Sequence, residues 1–280
     1  MIEIGKKQTL IIVKEVKFGV YLGESRNAEE KERVLLPGSQ VPEGKKTGDS
    51  LEVFIYLDSS DRPIATVKEP LITLGGLAVL KVKQVTRIGA FLDWGLEKDL
   101  LLPFHEQTKK VREGEDCLVA LYLDKSHRLC ATMKVYHYLS NRAPYGIGDE
   151  VTGRIYEISD NFGVFIAIDD KYNGLIPKRE AQAEYTIGSV IPCRITEVKE
   201  DGKLSVSARK KAYLQMDDDA AHVLQVLKKY DNVLPFDDKA SPETIQRVMG
   251  LSKNAFKRAV GHLLKEGSVE ISQGHIRGKK

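Results

Sequence analysis

The sequence predicts a mainly β chain of three small closed barrels in tandem, followed by a different, partly helical domain that ends in a hairpin. Two observations carry that prediction. One segment repeats an earlier one without a gap, and beyond residue 209 the spacing of apolar residues changes from two to about 3.6. A length of 280 residues suits several compact units, and the 42% of hydrophobic residues suffices for their cores. Short Val/Ile/Leu/Tyr runs broken by Gly, Asp and Lys read as strands.

Shifting the chain by 66 residues lays Gly48 to Lys68 on Gly114 to Lys134, with 10 of 21 positions identical. The matches include Tyr56 with Tyr122, Asp58 with Asp124, Arg62 with Arg128 and Thr66 with Thr132. Each copy opens with a strand and a glycine turn, at Gly19 and Gly89, and then reaches Leu-Leu-Pro, at Leu35 to Pro37 and Leu101 to Pro103. A charged insertion from Ala28 to Arg33 lengthens the first copy and reads as a surface loop. A third, more diverged copy keeps the landmarks in order: Gly163, then Gly-Leu-Ile-Pro ending at Pro177, then a closing Leu-Ser-Val-Ser-Ala-Arg. About five short strands in some 70 residues fit a closed barrel of the OB type, which leaves no exposed sheet edge. The expected domains are barrels over 1–69, 70–140 and 141–213, and a winged-helix domain over 214–280.

The repeat also places the cysteines. Cys117 and Cys130 align with Leu51 and Ile64, and Cys193 falls opposite Val119. All three read as small buried hydrophobes, since no CxxC pair suggests zinc or a disulfide framework.

In the C-terminal region an apolar stripe of Val223, Leu224, Val226 and Leu227 predicts a helix beginning near Met216. Asp217, Asp218 and Asp219 would then lie in its first turn, where the helix dipole favours acids. Ser241 caps a second helix with proline at its first position, burying Ile245, Val248 and Met249. Ser252 caps a third, with Phe256, Val260, Leu263 and Leu264 inward and Lys253, Asn254, Lys257 and Arg258 on another side. A hairpin turning at Gln273-Gly274 completes a winged helix-turn-helix. From Ala220 onward there are 11 basic and 6 acidic residues, a net +5 against +3 for the whole chain. This domain reads equally as a nucleic-acid contact or as a protein-contact module.

The third copy resembles the RNA-binding domain first described in ribosomal protein S-one. It has the leading Gly-Asp-x-Val, the x-x-Phe-Gly-x-Phe-Ile, the Gly-Leu-Ile and the closing Leu-Ser-x-Ser-x-Arg. The resemblance implies that Phe162 and Phe165 stack on bases and that Asp201 and Arg209 make late polar contacts. Equivalent aromatic sites hold Phe18 and Tyr21 in the first copy, and Ile88 and Phe91 in the second. Where the family often has histidine after Gly-Leu-Ile, all three copies have proline, at Pro37, Pro103 and Pro177. Strict alternation would place Phe162 and Phe165 on opposite faces, and a bulge at Gly163 would bring them to one. Lys178, Arg179, Arg209, Lys210 and Lys211 could line a phosphate track, although 11 basic and 11 acidic residues balance over 141–213.

The whole order of domains resembles the bacterial conserved virulence factor B family of RNA-binding regulators. It implies a post-transcriptional role. Stacking rings with a few phosphate contacts make single-stranded RNA the expected partner, and the winged helix alone offers duplex DNA as the alternative. The lack of a membrane span or signal segment predicts a cytoplasmic location. No membrane span, cofactor or metal is expected. An enzymatic reading, such as a nuclease, finds no HExxH, GxSxG or P-loop, and the six histidines are dispersed.

Overall fold

The computed structural model describes residues 2–181, 184–208 and 212–279. It divides into two units, Met1–Ala208 and Arg209–Lys280. The first unit holds three closed five-stranded barrels. Barrel one comprises β1 (Lys7–Val16), β2 (Gly19–Gly23), β3 (Val34–Pro37), β4 (Ser50–Leu57) and β5 (Pro63–Thr66). Barrel two comprises β6 (Leu77–Val85), β7 (Gly89–Asp93), β8 (Leu100–Pro103), β9 (Asp116–Leu123) and β10 (Leu129–Thr132). Barrel three comprises β11 (Glu150–Ser159), β12 (Gly163–Ile168), β13 (Tyr172–Pro177), β14 (Val190–Val198) and β15 (Leu204–Ser207).

In each barrel the long first strand pairs with the second and the fourth, and a parallel pairing of third with fifth closes the cylinder. To serve two partners that strand must bend. All three first strands carry a register shift at the same place, between Ile12 and Lys14, Val82 and Gln84, and Ile155 and Glu157. In barrel three the bulge that faces β12 is therefore on β11 and not at the expected Gly163.

Glycine opens the second strand for a different reason. Gly19, Gly89 and Gly163 pair with Pro37, Pro103 and Pro177. A Cβ at these glycines would stand 2.1, 2.4 and 2.1 Å from the carbonyl oxygens of Leu36, Leu102 and Ile176. Their φ angles of +153°, +153° and +119° also disfavour side chains.

Barrels one and two share a core in which Trp94 meets Phe54 and Tyr56 edge-on at 5.8 and 6.3 Å. Barrels two and three join through Leu118, Ala120, Val135, Leu139, Tyr156 and Ala167. All three cysteines are buried, and desolvation pushes each thiol up to about 11. The charged insertion of barrel one is an anchored loop. Ala28 is buried, and the Arg33 guanidinium donates to its carbonyl at 2.9 and 2.7 Å.

The second unit contains α1 (Ala212–Lys229), β16 (Val233–Leu234), α2 (Pro242–Met249), α3 (Lys253–Lys265), β17 (Val269–Ser272) and β18 (His275–Gly278). Ser241 and Ser252 accept from the amides of Thr244 and Ala255, as N-caps should. The strand order β16-β18-β17 adds a third strand to the expected hairpin. Two expectations change. Because α1 already runs from Ala212, Asp218 and Asp219 lie beyond its first turn, so the dipole does not account for them. Leu264 is 39% exposed, while Phe256, Val260 and Leu263 are buried. No helix among the described residues is long and apolar enough to cross a membrane, and no cluster of three or more of their His, Cys, Asp or Glu side chains could hold a metal ion.

Candidate nucleic-acid interface

The turn between β11 and β12 sets the site. Phe162 precedes Gly163, so it belongs to the turn, and strand alternation does not govern its direction. It is 64% exposed, with its backbone carbonyl accepting from Lys178 at 3.0 Å. Phe165, on β12, is half-buried; its ring centroid lies 6.3 Å from that of Phe162 and 6.1 Å from that of Tyr156. The two phenylalanines therefore share a face, but only Phe162 is freely exposed.

They line a cleft of about 680 Å³. Its floor includes Leu175 and Leu204, and its rim includes Lys134, Lys199, Asp201 and Lys203. Lys203 Nζ donates to Asp201 at 2.7 Å, which holds the Asp201 carboxyl below its usual range and the Lys203 ammonium above its own. Asp201 thus aims a lysine across the cleft.

The equivalent turns explain why this barrel differs. In barrels one and two the turn between the last two strands closes with Asp58 N donating to Arg62 O and Asp124 N donating to Arg128 O, both at 2.9 Å. Asp58 Oδ1 accepts the amides of Ser60 and Arg62, and Asp124 Oδ1 those of Ser126 and Arg128. Both carboxyls are held below their usual range: backbone bonds from Arg62 lead at Asp58, and the amides and guanidinium at Asp124 outweigh a desolvation that opposes them. The identical Asp and Arg of the repeat are thus turn-forming ion pairs. In barrel three the bond that closes the turn runs from Lys199 N to Lys203 O, also at 2.9 Å. An Asp–Arg pair of no net charge is replaced by two lysines, and both line the cleft.

The other sites divide. In barrel one Phe18 is 60% exposed and stands edge-on to half-buried Tyr21 at 6.5 Å. In barrel two Phe91 and Ile88 line a pocket of only about 170 Å³, narrowed by Asp61 from barrel one. Lys98 fixes that turn by donating to Asp58 O at 2.7 Å and to Asp61 at 3.4 Å. Lys178 and Arg179 are exposed on a short 3-10 turn after β13, outside the described lining of the cleft. Arg209, Lys210 and Lys211 lie outside the described residues. In the second unit Asn254, Lys257 and Arg258 are exposed along α3 and Lys253 is half-buried.

Sequence reading missed Lys134, Tyr136, His137, Lys199 and Lys203. Lys134 closes the repeat opposite Lys68, while Tyr136 and His137 follow it and have no family pattern. The two lysines could have been found by comparing turn with turn across the copies.

The architecture is that of tandem nucleic-acid-binding barrels followed by a winged helix, and comparison with known proteins gives the same class. Residues 4–68 and 74–134 match an S1 domain, 145–209 match the S1 RNA binding domain, and 221–277 match the CvfB-like winged helix domain. These are families of nucleic-acid-binding and regulatory domains rather than of enzymes. Conserved virulence factor B of Staphylococcus saprophyticus is 30% identical over 82% of this chain and 79% of its own. The uncharacterized protein YitL of Bacillus subtilis is 31% identical over 99% of this chain and 94% of its own. The chain belongs to the conserved virulence factor B family. In fold it is similar to a multidomain protein with nucleic acid binding domains from Streptococcus pneumoniae, whose crystal structure covers 99% of this chain and 98% of its own with a TM-score of 0.52 at 21% identity.

Proposed function

We propose that the protein binds single-stranded RNA, with barrel three as the main platform, and acts as a post-transcriptional regulator in the cytoplasm. The observation that carries this reading is the exposed Phe162 beside Phe165 in a cleft rimmed by Lys134, Lys199 and Lys203. Every base offers a π-face, so a ring can stack on any of them, while lysines meet the backbone phosphates. Phe18 and Tyr21 offer a second, smaller platform in barrel one. Phe91 contributes less, because its pocket is narrow. Asp201 acts by positioning Lys203, and Lys178, Arg179, Arg209, Lys210 and Lys211 supply phosphate contacts around barrel three. Lys253, Asn254, Lys257 and Arg258 add affinity from the winged helix. A role in virulence regulation is what the named relatives suggest.

Competition on the intact protein tests this reading. A fluorescent 12-nucleotide single-stranded RNA should resist displacement by duplex DNA of equal length, and its affinity should fall as salt rises. Preferential displacement by duplex DNA would make the winged helix the principal site and the protein a DNA-binding regulator.

A further inference from the structure

The cleft of barrel three is not built by barrel three alone. The linker from barrel two contributes a 3-10 turn, Val135–His137, and Tyr136 and His137 line the cleft. The Tyr136 ring stands edge-on to Phe165 at 6.0 Å, and Lys203 Nζ sits 5.7 Å from its centroid. Tyr136 is half-buried, with one side packed toward the junction and the other on the cleft.

The linker cannot swing freely. Val135 and Leu139 are buried at the junction, flanking the turn. Ser140 N donates to Lys171 O at 2.9 Å, and Asn173 N donates to Ser140 O at 3.1 Å, so the chain bridges onto β13 beside Tyr172. Asn173 Nδ2 donates to Leu139 O at 3.2 Å and to Asn141 Oδ1 at 2.8 Å, fastening the same segment. The turn that carries Tyr136 is thus anchored on both sides, by buried Val135 and by the bonds of residues 139–141 to β13.

The repeat supplies an independent observation. With the 66-residue offset, Val135-Tyr136-His137 falls on Glu69-Pro70-Leu71. The residues just before are shared: Lys68 and Lys134 donate their amides to Thr66 and Thr132 at 3.0 Å. At the otherwise equivalent junction the linker therefore has a proline where the cleft-bearing junction has a tyrosine.

We infer that Tyr136 is a base-stacking residue supplied by the linker, so that the site is composite and holds successive nucleotides of one strand, one on Phe162 and the next in the corner formed by Phe165 and Tyr136. Lys203, poised over the Tyr136 ring by Asp201, meets the phosphate between them. This rests on the single-stranded RNA reading and adds to it the path of the strand, from the face of barrel three onto the linker.

The test uses the full chain and a fluorescent 12-nucleotide RNA of mixed sequence, with Tyr136→Ala, Tyr136→Phe and Phe162→Ala. Tyr136→Ala should weaken binding about 5- to 150-fold, the equivalent of about 1 to 3 kcal/mol for one stacked base, while Tyr136→Phe, which keeps the ring, stays within about threefold of the parent. A 5-bromouridine version of the same RNA, crosslinked by light and mapped by mass spectrometry, should mark the peptide containing Tyr136. This readout holds even if Tyr136→Ala loosens the junction, because a ring that only packs the junction gives no crosslink. Normal binding by Tyr136→Ala beside weakened Phe162→Ala, or absence of the crosslink, overturns the composite site and leaves the RNA reading standing. No binding of either RNA by the parent protein overturns the RNA reading itself.

Discussion

Replacing Phe162 by alanine separates binding from folding, because the structure assigns this ring little of the core. A fully buried phenylalanine costs about 3 to 5 kcal/mol when truncated. With 64% of its surface exposed, Phe162 should cost roughly a third of that, about 1 kcal/mol. In a unit of this size such a loss lowers the melting temperature by only about 2 to 4 °C. A ring that stacks on a base contributes about 1 to 3 kcal/mol to binding, so the dissociation constant should rise about 5- to 150-fold. Phe165→Ala should behave differently. Its ring touches those of Tyr136, Tyr156 and Phe162, and each aromatic pair adds about 0.5 to 1.5 kcal/mol, so binding and stability should fall together. Fluorescence anisotropy with single-stranded RNA and thermal unfolding of the same samples read both quantities. An unchanged affinity in Phe162→Ala would refute the reasoning because the ring then does not serve the ligand, and a fall of about 10 °C in its melting temperature would refute it because the ring then belongs to the core.

Other perturbations follow from the same geometry. Lys199→Ala together with Lys203→Ala should weaken RNA binding at low salt and make the logarithmic salt dependence shallower by about 1.4, since each phosphate of a single strand that a lysine neutralises adds about 0.7 to the slope; an unchanged slope would remove both lysines from the phosphate path. Gly163→Ala should destabilise barrel three by several kcal/mol, because its Cβ would stand 2.1 Å from the Ile176 carbonyl oxygen, whereas Gly261→Ala, in the open on α3, should stabilise by about 0.5 to 1 kcal/mol; paired urea titrations compare them. The cysteines carry a pH prediction. Burial raises each folded thiol above its ordinary value to about 11, so the neutral thiol's contribution is complete below about pH 9 and is lost as pH rises from there through about 11. Stability measured across that range should fall, and a thiol reagent at about pH 8 should label Cys117, Cys130 and Cys193 only upon unfolding; rapid labelling of the native protein would contradict the burial.

Much of the architecture was legible in the residues themselves, because barrels and helices are specified by local pattern. The 66-residue repeat, the glycine opposite each Leu-Leu-Pro or Leu-Ile-Pro, and the Ser caps of α2 and α3 each reflect a short-range demand: a turn, a close backbone approach, or an amide to satisfy. The family motif likewise pointed to Phe162 and Phe165. What the residues did not disclose was which side chains from separate segments meet. Alternation misjudged Phe162 because it precedes the strand, and the bulge that shapes this face sits across the ladder at Tyr156. The pairing of Asp201 with Lys203 was equally hidden. Tyr136 carried only the weak signal of standing opposite Pro70 in the repeat, since its place at the cleft depends on a linker docking against β13, and that docking is decided by the burial of Val135 and Leu139 between two barrels. Local chemistry determined the modules, whereas the cleft arose only when packing brought a turn, a strand and a linker within reach of one another.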